Sequence, residues 1–410
     1  MTLENARNTE LRVINSKFHY SYLFGCLLLL LSGFPINFGQ FSAIYAFEIF
    51  AGIRLIYAFL SAKKAYFSSH KKFLYFSFLV LFTTFLTGVF KNASIISQIK
   101  FAAAIYFFLA SYLYVYVLFK DQREKAFGLV FFYFMGQILA SFLQPSPLAQ
   151  VDGWKFGFGL GATSIAVLIV GKFRNLLVVT LSCTVLAFLN LALGFRGLYL
   201  VLLVTLAISL LNSKTHTSSQ RVFIGLLSTA GFWLAWLAYS FLAQREYLGE
   251  VAFYKHRDQF SAEGPLSFLG AVRPEILINF FFIRESPFIG KGPYPSIEPD
   301  EFTQLASFLT EGSYDLQFTY LLQLYGDQIP VHSMLFQFWL YAGIIGIMIP
   351  FLMIKSATSL AVRNARILFV VYASTLLIWE VLFSPFGLGR RLELALLYGY
   401  LIASRNSSVK

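Results

Sequence analysis

The stretch FLYFSFLVLFTTFLTGVF, residues 73–90, carries no formal charge along its whole length. The hydrocarbon core of a bilayer is roughly 30 Å thick, and a helix rising 1.5 Å per residue crosses it in about twenty residues. Lipid offers no partners to backbone N–H and C=O groups, so such a run must satisfy them internally, as a helix does. Working outward, similar runs recur at about 19–34, 41–60, 101–118, 126–143, 156–171, 175–193, 197–211, 222–242, 333–354, 367–384 and 392–404. The composition agrees: 58% of residues are hydrophobic and 13% charged, where soluble chains sit near half and a quarter. Mean hydropathy is +0.68. The expected fold is an all-α polytopic membrane protein of about twelve transmembrane helices, the eighth and twelfth short enough to be tilted or re-entrant.

Charge between the runs orients them. With the N-terminus inside, the inside segments hold Arg7, Arg12 and Lys17; Lys63, Lys64, Lys71 and Lys72; Lys120, Arg123 and Lys125; Lys172 and Arg174; Lys214 and Arg221; Lys355, Arg363 and Arg366; and finally Arg405 and Lys410. The opposite connections include 35–40, which has no charge, and 144–153, which has only Asp152. Basic residues stay on the cytoplasmic side, so both termini are expected there. The same rule accounts for most of the +12 formal charge, and nucleic acid is not an expected partner. Cys26 and Cys183 both lie inside apolar runs and read as small packing residues. The first run lacks a small-residue cleavage site and reads as an uncleaved span.

Three regions follow: a transmembrane bundle over 1–242, an external segment over 243–331, and further spans with a cytoplasmic tail over 332–410. The external segment is far longer than an ordinary helix connection. It opens with a charged patch, Arg245, Glu246, Lys255, His256, Arg257 and Asp258. Its many aromatics and the Gly/Pro turn ESPFIGKGPYP (285–295) favour an ordered cap over a disordered linker, with an amphipathic helix near 271–284. No Walker A sequence, dinucleotide fingerprint, H-E-x-x-H or C-x-x-C pair is present. The halves show no internal repeat, which weakens a transporter built on duplication.

The informative cations are those on the outer side: Arg196 in GFRGLYL, Arg273, Arg284 and Lys291 in the long segment, and Arg390 with Arg391 after FSPFGLG. Arginine presents a planar fork of donors suited to phosphate oxygens. Any one of them is as readily an interface anchor or half of an ion pair. His332 opens the tenth run in VHSMLFQFWLYAGIIG; neutral imidazole can take a proton from a hydroxyl, although an ordinary interfacial histidine is the simpler reading. Gln337 does not share a clean helical face with His332 and reads as a polar packing group. Glu48, Arg54 and Glu380 fall inside apolar runs, where ionised groups pair or line a cavity. Glu48 and Arg54, six apart, do not face each other on one helix. Glu380 can reach Arg390 only across a break near Pro385.

Taken together, three segments resemble the bacterial O-antigen ligase and O-antigen polymerase superfamily. HSMLFQFWLYAGIIG matches the family's His-containing helix through His332, Gln337, Gly343 and Gly346, with Ser333 in place of a common Asn and Tyr341 at an often acidic position. GFRGLYL matches a Ser-Arg-Gly segment through Arg196, with Phe195 replacing the Ser. The run from Arg273 to Pro287, Gly290 and Gly292 matches an Arg, an amphipathic helix and Pro-x-x-Gly-x-Gly, with a one-residue spacing difference that leaves Arg284 as an alternative to Arg273.

The resemblance implies a GT-C-type glycosyltransferase of the bacterial inner membrane, with a periplasmic site and no metal or other cofactor. Its donor would be an undecaprenyl-pyrophosphate-linked oligosaccharide. Arg196 and Arg273 would neutralise the pyrophosphate, with Arg284, Lys291, Arg390 and Arg391 as further substrate-binding groups, and His332 would act on the acceptor hydroxyl. A polymerase would use a second lipid-linked repeat unit as acceptor, alongside a chain-length regulator. A ligase would use lipid A-core, and the matched residues do not separate the two; a polysaccharide flippase is the third reading.

Overall fold

The computed structural model describes residues 22–38, 41–60, 70–120, 123–173, 175–211, 237–247, 253, 256–257, 274–311, 328–365 and 367–406. These are helical almost throughout. The helices are α1 (Tyr22–Gly33), α2 (Ala46–Leu60), α3 (Lys71–Phe90), α4 (Ile95–Lys120), α5 (Arg123–Leu143), α6 (Pro147–Val151), α7 (Gly159–Val170), α8 (Leu176–Ala192) and α9 (Arg196–Leu211). After the long segment begins come α10 (Pro274–Glu285), α11 (Pro299–Glu311), α12 (Met334–Ala342), α13 (Met348–Arg363), α14 (Leu368–Phe383) and α15 (Leu388–Asn406). A short antiparallel hairpin, Ile36–Phe38 with Phe41–Ile44, precedes α2.

Among the described residues, α3 and α4 are long and apolar enough to cross a membrane, and α12 with α13 makes a third if the bent pair is one span. Six shorter apolar helices accompany them. The outer face is rich in exposed apolar side chains, among them Phe59, Phe78, Phe90, Phe142 and Leu177, a surface that suits lipid and not water. Inside, α15 lies along α4: Gly399 lets it approach Val115 closely, and Tyr398 stacks on Tyr112 with ring centroids 4.9 Å apart.

Three expected spans differ from what is found. The second begins as a β-strand, and its helix starts only at Ala46. Glu48 sets that start by accepting from the Tyr45 backbone N–H at 3.1 Å, the reciprocal half of a capping arrangement. The twelfth is longer than 392–404: α15 runs over Leu388–Asn406 and carries Arg390, Arg391 and Glu393 near its start. The tenth is broken, because α12 and α13 meet at 120°. The ninth expected span, 222–242, falls mostly outside the described residues.

The break at α12 has a local cause. Gly343 sits at φ 62°, ψ −153°, a conformation open essentially to glycine alone. The ESPFIGKGPYP turn docks there. Lys291 N–H donates to the Leu340 carbonyl at 2.6 Å, Trp339 Nε1 to that of Pro287 at 2.9 Å, and the Thr87 hydroxyl of α3 to that of Ile289 at 3.0 Å. A Cβ on Gly290 would stand 2.6 Å from the Gly343 nitrogen, and one on Gly343 would run into the Phe288 carbonyl. Gly343→Ala therefore combines backbone strain of about 1–3 kcal/mol with overpacking of about 1–3 kcal/mol. A fall in thermal unfolding midpoint is expected in detergent, and a midpoint equal to wild type would show that the break does not need glycine.

The cap differs from expectation in one respect. Glu275, Leu277, Ile278, Asn279, Phe281, Phe282 and Ile283 are all buried, whereas Phe280, Arg284 and Glu285 are exposed. Helix α10 is thus enclosed around most of its girth, and it does not lie as an amphipathic helix on a surface.

Candidate functional site

The C-terminal end of α14 gathers the starts of three other helices. Trp379 packs on Gly197, beside Arg196 at the start of α9. The Ser333 hydroxyl, which caps α12, donates to the Val381 carbonyl at 3.3 Å. Glu380 meets Arg390, near the start of α15, at 3.3 Å. The chain between α14 and α15 is fixed by Gln337, whose Oε1 accepts from the Phe386 N–H at 2.7 Å, so the glutamine is a buried packing group. Arg196, His332, Arg390 and Arg391 therefore share one end of the bundle. Helix N-termini there add partial positive charge.

His332 stands just before α12. Its Nε2 is 3.5 Å from Glu275 Oε1 on α10. Asn279, one turn further along α10, donates from Nδ2 to the Pro330 carbonyl at 3.1 Å and to the Glu275 carbonyl at 2.6 Å. That fastens the segment leading to His332 against α10. The Ile329 N–H reaches the Pro295 carbonyl at 3.2 Å and holds the same segment from the other side. A histidine set beside a carboxylate is an arrangement able to remove a proton from a hydroxyl.

Arg196 is held by Tyr239: its guanidinium donates to the phenol oxygen and lies 4.4 Å from the ring centroid, a cation–π contact. His256 lies beside them, its ring centroid 6.5 Å from that of Tyr239. Burial first, then the charge of Arg196, lower its pKa from the ordinary histidine value. Arg284 is exposed at the end of α10, 5.4 Å from the Phe281 ring centroid. Arg273 lies outside the described residues.

Arg390, Arg391 and Lys291, expected to bind substrate, are each paired with carboxylates. Arg391 is 2% exposed and bound in bidentate fashion to Glu48, Nε to Oε1 and Nη2 to Oε2, each at 2.7 Å. Arg390 donates to Glu393 at 2.8 Å and also faces Glu380. Lys291 pairs with Glu285 at 2.6 Å and with Glu301. Each cation is already matched by carboxylates, so a pyrophosphate would have to displace them, at Arg390 and Arg391 at the cost of leaving buried acids unpaired. Arg54 points elsewhere, 5.8 Å from the Phe50 ring centroid.

Glu275, Glu393 and Tyr239 are the site residues that sequence reasoning passed over. Glu275 is the only charge in PEILINFFFI, and an isolated acid in an apolar run is itself a signal. Glu393 stands three residues after Arg390, a helical pairing interval. Tyr239 has no comparable signal, because tyrosine is common throughout the chain. No family model, curated protein or solved structure matches this chain.

Proposed function

We propose that the protein is a membrane glycosyltransferase whose donor is a polyprenyl-pyrophosphate-linked glycan and whose acceptor is a second lipid-linked repeat unit, as in an O-antigen polymerase. The observation that carries this reading is the His332–Glu275 pair, set at the same end of the bundle as Arg196. In it, twelve spans in a GT-C-like arrangement cross a bacterial inner membrane with both termini cytoplasmic, and the site faces the periplasm.

The chemistry follows from the groups present. The donor's lipid tail stays in the bilayer while its pyrophosphate meets Arg196, with Arg273 or Arg284 as the second cation. Positive charge fixed beside the bridging oxygen stabilises the pyrophosphate as the glycosidic bond breaks. His332, oriented by Glu275, takes the acceptor hydroxyl proton as the new bond forms. The acceptor oxygen gains the sugar, and the lipid pyrophosphate departs with the bonding pair. Helix α10 and the docked turn close over this end and limit access of water, which would otherwise compete as acceptor.

The deciding experiment supplies purified protein in nanodiscs with lipid-linked repeat units, with and without lipid A-core. A ladder of lengthened lipid-linked glycans without the core is expected. Transfer only when the core is present would make the protein a ligase. No transfer in either arm, by protein shown to bind the donor, would overturn the reading.

A further inference from the structure

We propose that Glu380 and Glu393, on either side of Arg390, together hold one exchangeable proton inside the helix bundle. The inference is independent of glycosyl transfer and rests on a charge count. Glu48 and Arg391 close on each other through two hydrogen bonds, with exposures of 0% and 2%. That leaves the single guanidinium of Arg390 facing two carboxylates, each 3% exposed. The cluster carries one negative charge too many for a dry interior.

Two acceptor atoms mark where the proton goes. Glu393 Oε1 is buried and has no hydrogen-bond partner, and Glu380 Oε2 is buried with only its 3.3 Å ion-pair contact to Arg390 Nε. Buried acceptors are rarely left so. A proton on either carboxyl removes the surplus charge and turns one unsatisfied acceptor into a donor. Among the described residues, the other groups around the pair do not supply the missing charge. Tyr133 of α5 and Tyr45 ahead of α2 face it with phenols, and Tyr372 of α14 is already hydrogen-bonded to Ser164 of α7 at 2.8 Å. Cys183 of α8 lies beyond Tyr372. Arg391, the neighbouring cation among the described residues, is taken by Glu48. Arg390 is 34% exposed along its side chain, which gives the pair a path for exchange.

Infrared spectroscopy of the full chain in nanodiscs reads the proton directly. At neutral pH the wild type should show the C=O stretch of a protonated carboxylic acid. Glu393→Gln and Glu380→Gln should each abolish it, because one carboxylate against Arg390 needs no proton; Glu285→Gln, at the exposed end of α10, should keep it. Absence of the band from wild type, or its survival in both cluster variants, would overturn the proposal. If neither variant folds, the wild type alone decides: its unfolding midpoint should fall as rising pH removes the band, and a midpoint indifferent to that loss counts against the proposal. Stabilisation by sodium at constant ionic strength, with no band, would assign the site to a metal cation instead.

Discussion

Arg391→Ala is expected to destabilise the folded protein by about 3–5 kcal/mol, the usual cost of leaving one partner of a buried ion pair uncompensated. The partner is Glu48, which would remain at 0% exposure with Oε1 stripped of its donor and Oε2 left with the Tyr45 N–H alone. The same carboxylate caps the start of α2, so the damage should reach the packing of α2 on α4. Thermal unfolding in detergent, followed by helical circular dichroism, measures it. The double variant Glu48→Leu/Arg391→Met should recover most of the loss, because a buried pair can be replaced by apolar groups of similar volume at little cost. A double variant as unstable as the single one would mean that the ion pair itself, and not the stranded charge, is what the fold requires.

The second large effect is on rate. His332→Ala should lower glycan transfer by about 10²–10⁴-fold, the contribution typical of a positioned general base, while donor binding and unfolding midpoint stay close to wild type. Glu275→Gln should give a smaller loss, in kcat more than in KM, because in the proposed reaction the carboxylate acts by orienting the imidazole 3.5 Å away. A His332→Ala protein that elongates glycan at the wild-type rate would remove the histidine from the chemistry.

Helices were the legible part of this fold, because an apolar run in lipid has few other ways to satisfy its backbone. Their interruptions were less so. Residues 333–354 read as one continuous span, since apolar length carries no information about a glycine whose φ is set by a turn docking from some fifty residues earlier in the chain. The site divides in the same way. His332 and Arg196 stood out by type and position, and the Glu380–Arg390 contact was foreseeable from the break at Pro385. The Glu48–Arg391 pair joins residues 343 apart in sequence, and no local pattern links them. Arg391 thus looked like a ligand for phosphate when its partner was already built in. Glu275 hid for a related reason: what it faces is decided by how α10 folds back against the segment before α12.

The lengths of the helices have a mechanical consequence. Helices α9, α13 and α14 have 16 residues each and α8 has 17, or about 24–26 Å at 1.5 Å per residue. A typical hydrocarbon layer is about 30 Å deep. Where short helices cross, the surrounding lipid compresses to match them, at a fraction of a kcal/mol for each ångström of mismatch. A bilayer crossed by these short helices would therefore be dimpled beside them, with headgroups drawn inward. An amphiphile diffusing in the leaflet would meet a shallow basin there, and its polar head would descend toward the helix ends without leaving the membrane.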